Sequence, residues 1–328
     1  MPHPQSGIHL AVSRTRLGQL NDQDYNAKLT KATKTLIDEK RKSKESVNVL
    51  ILSEQSLLPL IASKFLNETR DKVIHYELND HFRHALNSIS QENQLHNILE
   101  VRKDVLNYSD ITSEIINHEV DIILAEPFFN ISLVPWHNLF FWYMLKSVKR
   151  SVDILTMPIK ATIWACPVTF SHLWKIRAPL NIVEGFDLSH FDEVIMNACD
   201  VSDAEVEPQP LWEYPCYAED IPREIMTFDF TKKDVENKKT TVKFENLKKL
   251  VKRGAGMAFW MEWCLTEEIS VNTGPVEDIQ LKKQIKWDMH HKQGVHFFVE
   301  KDENVCISDI EVETTFKDGD LMFKFVTE

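Results

Sequence analysis

Glycine is scarce, 8 in 328 residues, and the stretch where it would matter most has none. Val49-Leu50-Ile51-Leu52-Ser53-Glu54-Gln55-Ser56-Leu57-Leu58-Pro59-Leu60 reads as an apolar strand, a tight turn and the start of a helix. In cofactor-binding α/β proteins this turn is glycine-rich, because without a Cβ the backbone takes positive φ and a ligand can approach closely. Here Ser53, Gln55 and Leu57 each bring a side chain to that space. Low glycine together with 13 prolines also excludes a fibrous or low-complexity chain. The five cysteines (Cys166, Cys199, Cys216, Cys264, Cys306) are widely spaced with no CxxC pair, which excludes a disulfide framework and predicts reduced thiols in the cytoplasm or nucleus. Basic charge is in deficit. A net charge of −12 argues against nucleic acid as a direct partner. No apolar run reaches the length of a membrane span, and the first residues carry no secretory leader pattern.

Residues 1–16 read as a short arm in which Ile8, Leu10 and Val12 alternate as in a strand. Asp22 and its neighbours offer N-caps for a helix to about Lys40, with Tyr25, Leu29, Ala32 and Leu36 on one face. After a charged linker, strands beginning near Val47, Lys72, Ile98, Val120 and Ser151 alternate with helical stretches. That rhythm predicts a mainly parallel sheet covered by helices over 17–157. Beyond Pro158 the chain turns to short β-type runs (Ala161–Val168, Glu224–Phe230, Lys239–Phe244, Gly256–Cys264, Gly294–Val299, Val305–Val312 and Leu321–Val326). They predict an antiparallel barrel or sandwich over 158–328. A helical insertion interrupts it at about 184–215, where Asp187, Phe191, Val194, Ile195 and Ala198 form a loosely amphipathic segment.

Several motifs resemble those of the protein arginine methyltransferases. Asp121-Ile122-Ile123-Leu124-Ala125-Glu126 is similar to the strand that carries the first of that family's two substrate-binding glutamates. Asn272-Thr273-Gly274-Pro275 and His290-His291-Lys292-Gln293 resemble its "T-G-P" and "H-W-K-Q" loops. Closer still is the second module of a two-module member. The resemblance rests there on Leu17-Gly18-Gln19-Leu20-Asn21-Asp22-Gln23-Asp24, the glycine-free turn, Glu126-Pro127-Phe128-Phe129 with Leu133 to Leu139, Leu173 to Arg177, and Pro210 to Cys216. It implies an α/β Rossmann-like methyltransferase domain followed by an antiparallel β-barrel domain with a short helical dimerisation arm.

What the resemblance implies for chemistry is mixed. The family cofactor is S-adenosyl-L-methionine, but the glycine positions fall on Ser53, Gln55 and Leu57, so none is expected to bind this chain. Glu77 falls where an acidic residue holds the cofactor's ribose; its other reading is a charge at a helix start. Glu126 matches the first substrate glutamate, or is paired with a nearby Arg or Lys, while the second position falls near Pro135, which has no acceptor. His290 matches the histidine of the "H-W-K-Q" loop, or is structural, and His291 replaces its tryptophan. No metal is expected at His290 and His291. Pro4 and Ser6 stand in the cysteine positions of the family's inter-module zinc site, leaving His9 alone. The expectation is a non-catalytic module that partners a catalytic one, or a second copy of itself, in methylating Arg-rich proteins. The alternative is a self-sufficient methyltransferase.

Overall fold

The structure, a computed structural model, describes residues 12–77, 79–103, 120–126, 141–142, 154–232, 237–247, 250–251, 254–298, 306–317 and 319–328. Helix α1 (Arg14–Leu20) is capped by Ser13, whose hydroxyl accepts from the Arg16 amide at 3.0 Å. Helix α2 (Gln23–Arg41) follows at once, capped by Asp22 accepting from the Tyr25 amide. Tyr25, Leu29, Ala32 and Leu36 face the core from α2 as their spacing predicts. Helix α1 does the reverse. Its buried residues are Arg16 and Gln19, while Leu17 lies half exposed. The arm read over residues 1–16 therefore ends in a helix, and its expected strand falls largely outside the described residues.

Five parallel strands follow: β1 (Asn48–Ile51), β2 (Lys72–Tyr76), β3 (Leu99–Arg102), β4 (Ile122–Leu124) and β5 (Leu155–Met157). Their spatial order is β3-β2-β1-β4-β5, so the winding reverses between β1 and β4. Helices α3 (Leu58–Ser63) and α4 (Asp80–Glu92) pack on this sheet, the latter capped by Asn79. The central strands β1 and β4 are buried on both faces, as expected for parallel strands sandwiched by helices, while the edge strand β3 is partly exposed. The helical stretch expected between the strands near Ile98 and Val120, the "E-P-F-F" run after Glu126, and Pro135 lie outside the described residues. Phe141 and Trp142 are described, and both are buried.

The remaining strands are antiparallel. A seven-stranded sheet contains β6 (Lys160–Phe170), β9 (Glu207–Gln209), β10 (Cys216–Ala218), β11 (Arg223–Asp229), β14 (Ala255–Cys264), β15 (Ser270–Asn272) and β16 (Gln293–Phe297). Strands β12 (Lys238–Phe244), β18 (Ile310–Lys317) and β19 (Asp320–Thr327) form a second sheet, and β13 (Leu250–Val251) pairs with β17 (Cys306–Ile307). The run read as one strand over 305–312 is thus split between β17 and β18. A hairpin of β7 (Ile182–Val183) and β8 (Phe186–Asp187) leads into α5 (Ser189–Ser202). One hydrophobic core runs through both halves. At its join Trp142 lies edge-on to Phe230 and stacks on Phe316, with ring centroids 5.2 and 6.5 Å away.

Candidate functional site

In an open parallel sheet, ligands bind beyond the carboxyl ends of the strands where the winding reverses. Here that place lies between β1, which runs into the turn Leu52–Leu57, and β4, which ends at Glu126. The chain fills it from its own N-terminal side. The Arg16 guanidinium forks onto Glu126, Nη1 to Oε1 at 2.7 Å and Nη2 to Oε2 at 2.9 Å, with both side chains about 98–99% buried (relative exposures 2% and 1%). Its Nε donates to the Gln55 carbonyl at 3.0 Å, and Nη1 also reaches Gln19 Oε1 at 3.5 Å. The Tyr25 hydroxyl donates to Glu126 Oε1 at 2.8 Å, and the Ser56 hydroxyl donates to Oε2. Burial, with the Glu126 charge beside it, pushes the Tyr25 phenol well above its ordinary pKa, so it stays a donor. Sequence reasoning identified Glu126 and allowed it a basic partner. It missed Arg16, Tyr25 and Ser56, because a buried Arg and Gln on α1 invert the pattern by which a buried helix face is recognised.

Glu77 sits at the end of β2, fully buried. Its Oε2 accepts from the Gln55 amide at 2.8 Å and its Oε1 from the Asn79 amide at 2.9 Å. Gln55 is held at φ +50°, the left-handed conformation for which glycine is favoured. The turn therefore keeps the backbone shape of a glycine turn while carrying a glutamine. The Glu77 and Arg16 bonds both converge on Gln55, one on its N–H and one on its carbonyl. His75 is buried two residues before Glu77, its Nε2 3.5 Å from Glu77 Oε2.

The loop from the antiparallel half closes over α1 and α2. Gln19 Nε2 donates to the His290 carbonyl at 3.4 Å. His290 Nε2 lies 3.9 Å from Asp22 Oδ2, too far for a hydrogen bond. His291 is buried, pairs through Nδ1 with Asp288 Oδ2 at 2.6 Å, and meets the Tyr25 ring edge-on with centroids 6.2 Å apart. Asp22, Asp288 and His290 each offer one ligand atom, and these lie within 4.8 Å of one another. Asp22 is at the same time the α2 cap and Asp288 is bound to His291. The loop is pinned by Gln293, whose Nε2 donates to the carbonyls of Thr273, Asp288 and His291 while its Oε1 accepts from the Leu211 amide. Pro4, Ser6 and His9 lie outside the described residues.

Comparison with known proteins places this architecture. The family described as the arginine methyltransferase oligomerization subdomain matches residues 159–324. The chain belongs to the protein arginine methyltransferase family. Protein arginine N-methyltransferase 7 of Danio rerio is 33% identical over 333 residues, covering 98% of this chain and 46% of that protein. The Drosophila ananassae protein of the same name is 37% identical over 329 residues, covering 97% and 45%. The chain thus spans somewhat less than half the length of these relatives, and it matches their C-terminal module. In fold it is similar to the Trypanosoma brucei PRMT1 enzyme-prozyme heterotetrameric complex with AdoHcy, with a TM-score of 0.62 at 13% identity over 95% of this chain and 92% of the other. Against the crystal structure of PRMT6 the TM-score is 0.53 at 14% identity, covering 94% and 96%.

Within this chain, the insertion expected at about 184–215 holds α5 behind the β7–β8 hairpin, while β9 at its exit joins the seven-stranded sheet. Its surface is apolar and open: Ile182, Phe186, Phe191, Val194 and Val201 are all more than half exposed. Its underside is fastened by polar groups. Asp192, buried at 4% exposure, accepts from the Leu180 and Asn181 amides at 2.8 Å each. Arg177 pairs with both Asp203 and Glu207. A cavity of about 490 Å³ opens between α5 and the sheet, lined by Met196, Cys199, His296, Phe298 and Phe325 among others. His296 stacks on Phe325 at 3.6 Å, and its Nδ1 is 2.7 Å from the Glu205 carbonyl. Burial lowers its pKa to about 4, so the ring is neutral near pH 7. Among the described residues, no helix is long and apolar enough to cross a membrane.

Proposed function

We propose that this chain is a non-catalytic, degenerate module that serves as the pseudo-dimer partner of a catalytic arginine methyltransferase module, on the same or a separate chain. In this reading residues 17–157 keep the methyltransferase scaffold, and 158–328 carry the surface that docks. The observation that carries the proposal is the buried Arg16–Glu126 fork. A guanidinium from the chain itself engages the carboxylate that the family resemblance assigns to substrate.

The cofactor side supports the same reading. A ribose at Glu77 needs a carboxylate whose oxygens are available to hydroxyl groups, and both are engaged by backbone amides. The Gln55 backbone is bonded on both sides, and its side chain stands where a bare glycine would admit a ligand. The residues present do not fit S-adenosyl-L-methionine, so no methyl-transfer step is drawn through this chain. The partnering side draws support from the exposed apolar surface of hairpin and α5, held rigid from beneath, since preorganised surfaces lose less entropy on docking. A protein of similar fold occurs, by its description, in an enzyme–prozyme heterotetramer.

Isothermal titration of the chain with S-adenosyl-L-methionine is the direct test. The expected result is no saturable heat. Micromolar binding would overturn the proposal in favour of a self-sufficient enzyme.

A further inference from the structure

Two carboxylates from opposite halves of the chain meet with histidine beside them. Asp22 stands at the start of α2, and Asp288 lies in the loop that leads to β16. Asp22, Asp288 and His290 each bring one ligand atom within 4.8 Å of the others. Among the described residues, no lysine or arginine pairs with either carboxylate. Like charges this close repel, so a cation between them is favoured.

Each carboxylate is already fixed by a bond that leaves an oxygen over. Asp22 Oδ1 accepts from the Tyr25 amide at 3.0 Å, while its Oδ2 faces His290 Nε2 at 3.9 Å. Asp288 Oδ2 pairs with His291 Nδ1 at 2.6 Å, and its Oδ1 takes a longer contact, 3.3 Å, from the His290 amide. The loop itself is held by the Asp288 amide donating to the Gly274 carbonyl, by Gln293, and by Gln19 donating to the His290 carbonyl. Bonds of this outer kind orient the ligands of metal sites. The neighbouring histidines thus have separate tasks: His291 braces Asp288, and His290 turns its ring nitrogen to Asp22.

In a tetrahedral site with bonds of about 2.0–2.2 Å, ligand atoms sit about 3.4 Å apart. Closing separations of 3.9 Å, and of at most 4.8 Å, asks less than about 1 Å of each side chain. Two carboxylates balance a divalent charge. Imidazole beside carboxylate suits a first-row transition ion, whereas Mg²⁺ and Ca²⁺ take oxygen ligands. The three side chains are partly open to solvent, so water can complete the coordination.

We infer that Asp22, Asp288 and His290 form a binding site for a divalent first-row transition ion, which clips the start of α2 to the loop before β16. The claim is independent of whether the crevice takes a cofactor.

The test titrates zinc chloride into the untagged full chain after EDTA treatment and dialysis, by calorimetry. The variants are His290→Ala, whose ring is partly exposed, and Asp22→Asn, which keeps a helix cap. One zinc per chain is expected at low micromolar Kd, weakened about tenfold or more in each variant. The unfolding midpoint of wild type should rise by about 2–4 °C at about 100 µM zinc, and not with magnesium chloride. Amide exchange should slow at both the start of α2 and residues 288–292. Equal zinc affinity in wild type and both variants would put the ion elsewhere and overturn the inference. So would the absence of saturable binding, an equal response to magnesium, or slowed exchange at only one of the two elements.

Discussion

The crevice at β1 and β4 and the arm of hairpin and α5 dispose of their side chains in opposite ways. In the crevice, charged and polar groups (Arg16, Tyr25, Glu77, Glu126) are taken out of water and satisfied by one another or, for Glu77, by backbone amides. On the arm, large apolar groups (Ile182, Phe186, Val194) are left in water while the polar groups Asp192 and Arg177 are spent on holding the element still. A buried ion pair contributes little net stability against an apolar alternative, but it makes the loss of one partner expensive. An exposed apolar surface contributes nothing to the isolated chain, and its free energy is realised only when something covers it. The difference teaches where to look for function. The crevice has its interactions completed from within, whereas the hairpin and α5 leave apolar surface uncovered.

Four variants test that contrast. The largest effect is expected from Glu126→Ala, which strands a buried guanidinium. Denaturant unfolding should show a loss of about 3–5 kcal/mol, and a loss under 1 kcal/mol would mean that the pair is wet in solution. Next is Gln293→Ala, which leaves the Leu211 amide and the carbonyls of Thr273, Asp288 and His291 without this partner. At about 1–3 kcal/mol for an unsatisfied buried group, a loss of about 2–4 kcal/mol is expected, with the His290 loop becoming faster in amide exchange.

The third concerns pH. The folded pKa of His296 lies below its unfolded value, so the unfolded chain binds more protons between about 4 and 6.5 and stability falls as pH drops through that window. His296→Phe should flatten the acid side of a stability–pH curve by about 2–3 kcal/mol; an unchanged slope would show that the ring is already hydrated. The smallest effect on stability, within about 0.5 kcal/mol, is expected for Phe186→Ser with Val194→Ser on the arm. Yet this pair should weaken association with a catalytic module or with itself by at least tenfold in sedimentation. Unchanged association would end the docking role given to the arm.

Much of the scaffold was legible in the residues. Tyr25, Leu29, Ala32 and Leu36 announce α2 by their spacing, and the apolar runs at Val49, Val73 and Ile122 announce a parallel sheet, because burial on both faces leaves an unbroken hydrophobic signature. The absence of glycine at 53–57 pointed to the right turn. What could not be seen was how Gln55 keeps the turn's shape, since positive φ at a non-glycine residue depends on the Glu77 and Arg16 bonds from elsewhere in the chain. Nor could Arg16 be matched to Glu126 across 110 positions. An arginine four residues before a helix boundary looks like a solvated charge until the fold brings a carboxylate to it. Pattern methods read the average burial of a residue type, and α1 departs from that average at both of its inward positions.

The four backbone bonds of Gln293 carry a last implication. One amide fastens the exit of the arm at Leu211, the "T-G-P" turn at Thr273 and the doubled-histidine loop into a single knot. A sequence signature that the family resemblance sets beside chemistry thus has a structural task of its own here. Its presence in a homologue is evidence that this corner is built, and says nothing about whether anyone works there.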